Sequence, residues 1–294
     1  MTNNESTRPV VVGVDGSDYA LLALDWAADE AARRGCPLRI VNAYQSYAAG
    51  MTGVTVSLPS PPEEARRILT EAQERALVAH PDVEISTAQH EGPAPAVLLR
   101  EGAEARMLVV GREGIGRLAE LVLGSVSVAV ATRSRVPVVV IPASWEAPAE
   151  PHGRIVVGVD GSENCDAAVG YAFQLAAERE AELVAVFAWY QPSRWPEGWP
   201  LGSDEPRFAD EYERIIAAAT ATWEAEYPQV KVTAVTDIDH PAEAIARRSA
   251  DADMVVIGGR GHGTVTGMLL GSAARAILRH VNRPITVVHQ PKES

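Results

Sequence analysis

The segment Val11-Val12-Gly13-Val14-Asp15-Gly16-Ser17 recurs letter for letter at Val156 to Ser162, an offset of 145 residues. Three further landmarks follow in the same order. Met107-Leu108-Val109-Val110-Gly111 matches Met254-Val255-Val256-Ile257-Gly258 at an offset of 147, and Leu123-Gly124-Ser125 matches Leu270-Gly271-Ser272 at the same offset. The prolines of Arg135-Val136-Pro137-Val138 and Asn282-Arg283-Pro284-Ile285 are also 147 apart. An offset that drifts by so little over four landmarks marks a duplicated domain, and the period is too long for a solenoid repeat. The 294 residues therefore read as domains at 1–143 and 154–294. The Pro- and Ala-rich stretch 144–153 between them reads as a linker.

Each copy alternates strand and helix. In the first, Pro9–Val14 is a β-branched strand, and Ser17 is placed to cap a helix from about Asp18 to Arg34 that Gly35 stops. Strands are predicted at Leu38–Ala43, Val83–Ala88, Met107–Val110 and Val136–Ile141. The helices between them are predicted from about Glu63 to Ala79, from Pro95 to about Ala105, and from Ser125 to about Arg133. The second copy repeats the pattern, with strands near Ile155, Leu183, Val230, Met254 and Ile285. Aromatic residues are only 5% of the chain, so the core is built from Ala and Val, which suits buried parallel strands. The fold class is α/β: two tandem domains, each a parallel sheet covered by helices on both faces.

Charge and composition narrow the function. The net charge of −13 argues against a general nucleic-acid binder, so no nucleic-acid partner is expected. The two cysteines, Cys36 and Cys165, cannot build a disulfide framework or a Cys-rich zinc site. The first nine residues are polar and the longest apolar run, Leu183 to Tyr190, is far short of the ~20 residues a membrane span needs. The expectation is a soluble, cytoplasmic protein without a membrane partner.

Both copies carry G-x-x-G-(x9)-G-S after their fourth strand: Gly111, Gly114, Gly124 and Ser125 in the first, Gly258, Gly261, Gly271 and Ser272 in the second. The chemical reading is a phosphate cradle. Glycines at φ > 0 or at a close approach let backbone N–H groups face an anion. The helix N-terminus beyond adds free N–H groups and a positive dipole end, and the serine hydroxyls are expected to cap the helix and donate to phosphate. The plainer reading is that the glycines only turn the chain. Asp15 and Asp160 likewise read either as ligand-facing carboxylates or as Asx-turn and capping residues.

Through the strand-turn Val-Val-Gly-Val-Asp-Gly-Ser and this glycine spacing, both halves resemble the universal stress protein family in its tandem form, and its ATP-binding branch in particular. The resemblance implies five-stranded parallel sheets of order 3-2-1-4-5, in the adenine nucleotide alpha hydrolase-like class, with the ligand where strands one and four meet. It implies that Asp15 and Asp160 lie beside the nucleoside and any phosphate-bound metal, and that Gly13 and Gly158 let the nucleotide approach strand one. Ala43 and Ala188 would offer backbone atoms to adenine. Phosphates would be held by Gly111, Gly114, Gly116, Gly124 and Ser125 in the first copy, and by Gly258, Gly261, Gly263, Gly271 and Ser272 in the second. The remaining loop residues are counted with the sites: Arg112, Glu113, Ile115, Arg117 and Val126 in the first copy, Gly259, Arg260, His262, Thr264 and Ala273 in the second. The implied cofactor is ATP, with Mg2+ or Mn2+ carried on it, and the chain offers no metal site of its own.

No catalytic residue is assigned. There is no P-loop motif, and the two lysines, Lys231 and Lys292, lie outside the glycine-rich loops. His262 has Ile115 as its counterpart, so a catalytic histidine would exist in one copy only. The reading is an ATP-binding regulatory module with two sites per chain, set against a slow ATP hydrolase and a scaffold with structural or empty sites. A homodimer is expected, with the last strands free to pair within one chain as a pseudo-dimer. Glu113 stands where the second copy has Arg260, so the second site is expected to bind the more tightly. Alanine at Gly111 and Gly258 together is expected to abolish binding without unfolding the chain.

Overall fold

The computed structural model describes residues 7–45, 61–113, 123–162, 165–189, 205–261 and 270–290. The chain divides into two compact units, Met1–Ala143 and Ser144–Ser294. Unit 1 runs β1 (Val10–Gly13), α1 (Asp18–Arg34), β2 (Leu38–Tyr44), α2 (Pro61–Ala79), β3 (Ile85–Glu91), α3 (Ala94–Glu101), β4 (Met107–Gly111), α4 (Ser125–Arg133) and β5 (Val138–Ile141). Unit 2 runs β6 (Arg154–Val159), α5 (Asp166–Arg179), β7 (Glu182–Ala188), α6 (Glu205–Glu226), β8 (Val232–Asp237), α7 (Pro241–Arg248), β9 (Met254–Gly258), α8 (Ser272–His280) and β10 (Ile285–Val288).

In unit 1 the parallel strands pair in the order β3-β2-β1-β4-β5. In unit 2 the equivalent order is β8-β7-β6-β9-β10, also parallel. The central strands are sealed on both faces, which is why they read as unbroken apolar runs: Val10, Val11, Val12, Leu108 and Val109 are fully buried, as are Ile155, Val156, Val157, Val255 and Val256. The order reverses between β1 and β4, and between β6 and β9. At such a switch point two crossovers leave in opposite directions and open a crevice beyond the strand ends.

Local chemistry explains the element ends. Helix α1 begins where expected, with Ala20 N donating to the Ser17 hydroxyl at 3.2 Å, and ends at Gly35 in a left-handed conformation of φ 58°. Helix α3 stops at Glu101, before the expected Ala105, because Gly102 closes it with its N–H on Leu98 O at 2.8 Å. Its N-cap is Pro93, and Pro95 lies in the first turn as expected. Strand β3 is displaced toward the C-terminus, at Ile85–Glu91 rather than Val83–Ala88, because its register on β2 carries it alongside Tyr44. The segment read as a linker packs on unit 2: the Ser144 hydroxyl donates to Asn282 Oδ1 at 3.0 Å and His152 N to Asp253 Oδ1 at 2.7 Å.

Candidate functional site

The Asp-Gly-Ser turns close the same way in both units. Ser17 N and Oγ donate to Asp15 Oδ1 at 3.0 and 2.6 Å, and Ser162 N and Oγ donate to Asp160 Oδ1 at 2.9 and 2.7 Å. Gly16 and Gly161 between them sit at φ 84° and 76°, which only glycine adopts without strain. Each aspartate therefore makes the turn with one oxygen. In unit 2 the other, Asp160 Oδ2, lies hard against Gly261, where any Cβ would collide with it. The turn and ligand readings of this residue use different oxygens and do not compete.

The glycine loops are closed by backbone. Gly124 N donates to Arg112 O at 2.8 Å, and Gly271 N donates to Gly259 O at 3.0 Å, one bond at the same place in each unit. Helices α4 and α8 start with Gly124 and Gly271 as N-caps and with no side-chain cap. Ser125 and Ser272 are thus first helical residues, not caps as expected, and the first-turn N–H groups keep their capacity to meet an anion. A second expectation also changes. Gly111, Gly124, Gly259, Gly261 and Gly271 are not at positive φ. Except at Gly271, close neighbours leave no room for a Cβ. A Cβ on Gly111 would lie 2.8 Å from the Tyr19 carbonyl oxygen in α1, and one on Gly259 would collide with the His289 ring.

In unit 2 these elements enclose a cavity of about 580 Å³ at the carboxyl ends of β6 and β9. Among the expected residues, Gly158, Asp160, Ala188, Gly258, Arg260, Gly261, Gly271, Ser272 and Ala273 line it. Gly259 is off the lining, against His289. Much of the remaining wall is apolar: Val159, Val186, Pro241, Ile245, Ile257, Leu270, Ala274 and Ile277. Cys165 is also in the wall, and burial pushes its thiol up to about 11, so it is a neutral apolar contact at ordinary pH. Arg275, exposed in the first turn of α8, completes the lining.

Unit 1 places the matching residues on matching elements. Gly13 ends β1, with a Cβ position 2.9 Å from the Leu98 methyls, as Gly158 has Ile245 at 3.0 Å. Ala43 is on β2, and Gly111, Arg112 and Glu113 follow from β4 to Gly124, Ser125 and Val126 at the start of α4. Arg112 is only 5% exposed, and its Nε is 3.5 Å from Glu113 Oε1, a buried oxygen with no hydrogen bond. The Ser127 hydroxyl donates to Gly111 O at 2.7 Å and to Arg112 O at 3.1 Å, holding the loop down on α4. Gly114, Ile115, Gly116, Arg117, His262, Gly263 and Thr264 lie outside the described residues.

The model of the universal stress protein family matches this chain twice, at residues 6–142 and 152–289. The chain belongs to the universal stress protein family. Universal stress protein Rv2623 of Mycobacterium tuberculosis is 32% identical over 99% of this chain and 99% of its own length. Universal stress protein Rv2005c of the same species is 34% identical over 99% and 100%. A universal stress protein structure from Archaeoglobus fulgidus shares the fold, with a TM-score of 0.65 at 18% identity over 99% of this chain and 100% of that one.

Sequence reasoning about this universal stress protein missed Cys165, Ile245 and Arg275. The signal for Ile245 was present: Gly13 and Leu98 stand at nearly the same offsets from Gly158 and Ile245. Arg275 had a weaker signal, a cation three residues past Ser272. Helical side chains lean toward the N-terminus, so a first-turn arginine reaches back over the cap.

Proposed function

We propose that this universal stress protein binds ATP, one molecule per unit and two per chain, as a regulatory module that holds the nucleotide. The observation that carries the reading is the unit 2 cavity. It gathers residues from β6, β7, α7, β9 and α8 around a crevice lined by apolar side chains, the glycine-rich loop, the start of α8 and two arginines. Its volume is that of a small-molecule site, which runs from about 300 to 1,000 Å³. The apolar wall suits a purine, and Arg260, Gly261, Gly271 and Ser272 suit phosphate. A Mg2+ or Mn2+ ion in this reading arrives on the phosphates, facing Asp160, the one carboxylate among the described lining residues.

The same reading takes the domains as 1–143 and 154–294 and the protein as a cytoplasmic homodimer. No helix of the described residues is long and apolar enough to cross a membrane. The deciding experiment is calorimetric titration of nucleotide-stripped protein with ATP, with a stoichiometry near two per chain expected. Phosphate release followed over hours separates holding from turnover. Sedimentation velocity reads the assembly. A clean absence of binding to both ATP and ADP sinks the proposal.

A further inference from the structure

The two sites carry different charges. Arg260, half-buried in the loop, and Arg275, exposed on the first turn of α8, line one cavity in unit 2. Neither makes an ion pair with another described residue. Their counterparts 147 residues earlier are Glu113 and Val128. The arginine that unit 1 does have, Arg112, is buried beside Glu113.

We infer that Arg275 acts with Arg260 as a two-cation clamp that grades ligands by the number of phosphates they carry. Unit 2 then prefers the triphosphate strongly over shorter nucleotides, whereas unit 1 binds the nucleoside part without that grading. The inference rests on the nucleotide reading above and assigns to Arg275 a role in specificity. The physical basis is range. Adenine and ribose pack on the apolar wall and are neutral, so the arginines act on them weakly. Each added phosphate brings negative charge toward two guanidiniums and the uncapped start of α8. The described lining sets one carboxylate, Asp160, against the two arginines. In unit 1 the same polyphosphate tail meets Glu113 and an aliphatic side chain.

The test uses nucleotide-stripped full-length protein titrated with ATP, ADP, AMP and adenosine. In the wild type, affinity at the tighter site should fall stepwise along that series. Arg275→Ala should weaken ATP by roughly five- to tenfold and leave adenosine unchanged, with the ATP loss shrinking at high salt. Arg260→Ala should behave alike. The reciprocal variant places Glu113→Arg and Val128→Arg in a Gly261→Ala background that disables unit 2, and ATP binding at unit 1 should tighten by about tenfold or more. Arg275→Ala that leaves ATP affinity intact, or that weakens ATP and adenosine equally, overturns the clamp and leaves the nucleotide reading standing. Wild-type protein that binds none of the four ligands overturns both.

Discussion

His90 and Glu101 of unit 1 stand 147 residues before Asp237 and Arg248 of unit 2. In unit 1 the base is on the strand and the acid on the helix, with His90 Nε2 2.8 Å from Glu101 Oε1. In unit 2 the acid is on the strand and the base on the helix, with Arg248 Nε and Nη2 each 2.9 Å from Asp237. The cradle loops differ in the same manner. Where unit 1 has buried Arg112 and, at the end of β5, Pro142, unit 2 has Gly259 packed under His289. Where unit 1 has Ser127 clamping the loop carbonyls, unit 2 has buried Ala274. The backbone closure is shared, with Gly124 N on Arg112 O and Gly271 N on Gly259 O. Side-chain charge is replaceable as long as each pair stays complementary.

The largest expected effect falls on Gly111. The sequence alone suggests that alanine there removes binding and spares the fold. The structure corrects this: the new Cβ meets main chain, 2.8 Å from Tyr19 O and 3.1 Å from its carbonyl carbon, and neither can rotate away. Gly111→Ala should destabilise unit 1 by about 2–3 kcal/mol, read as a lower midpoint in urea denaturation. An unchanged midpoint would remove the packing account of this glycine.

Gly124 and Gly271 sharpen the comparison at one matched position. A Cβ on Gly124 lies 3.0 Å from Arg112 O and 3.3 Å from Ser127 Oγ, while one on Gly271 has nothing nearer than 3.7 Å. Both variants lose the N-cap preference for glycine over alanine, and Gly124→Ala should cost about 1 kcal/mol more than Gly271→Ala. Equal losses in the two variants would mean that Ser127 does not tighten the first loop.

Ser127 itself supplies the next step. Ser127→Ala removes the donor to Gly111 O and Arg112 O and should cost about 1 kcal/mol. It should also bring the Gly124→Ala penalty down toward that of Gly271→Ala, which a double-mutant cycle measures. Strict additivity in that cycle would break the link.

The smallest expected effect is pH-dependent. The hydrogen bonds from Arg248 hold the Asp237 carboxyl below its ordinary range. A depressed folded-state value contributes stability above the unfolded-state value and loses it as pH falls through the folded one. Asp237→Asn should cost about 0.5–1 kcal/mol near neutrality, since the pair is partly exposed. The gap to wild type should narrow below about pH 4 and vanish once Asp237 is protonated in the folded protein. A gap that stays constant down to acid unfolding would show that the carboxylate charge contributes nothing.

Most local features and all the repeated ones are legible in the order of residues along the chain. Helix α1 was readable at both ends because Ser17 and Gly35 are capping signals that act within one turn. The alternation of strand and helix, the duplication and the sheet class follow from periodicity, and the family follows from two short motifs. Helix α3 reads too long because Gly102 is followed by Ala103, Glu104 and Ala105, which a helix accepts. Three-dimensional packing was needed to see which neighbours leave these glycines no room for a Cβ: Tyr19 against Gly111, His289 against Gly259, Asp160 against Gly261. It alone placed Ile245 and Arg275 on the cavity wall. These are contacts between elements far apart in sequence, and they depend on where crossovers set each helix and on which way its side chains lean. A one-dimensional pattern records the presence of such residues but not their approach.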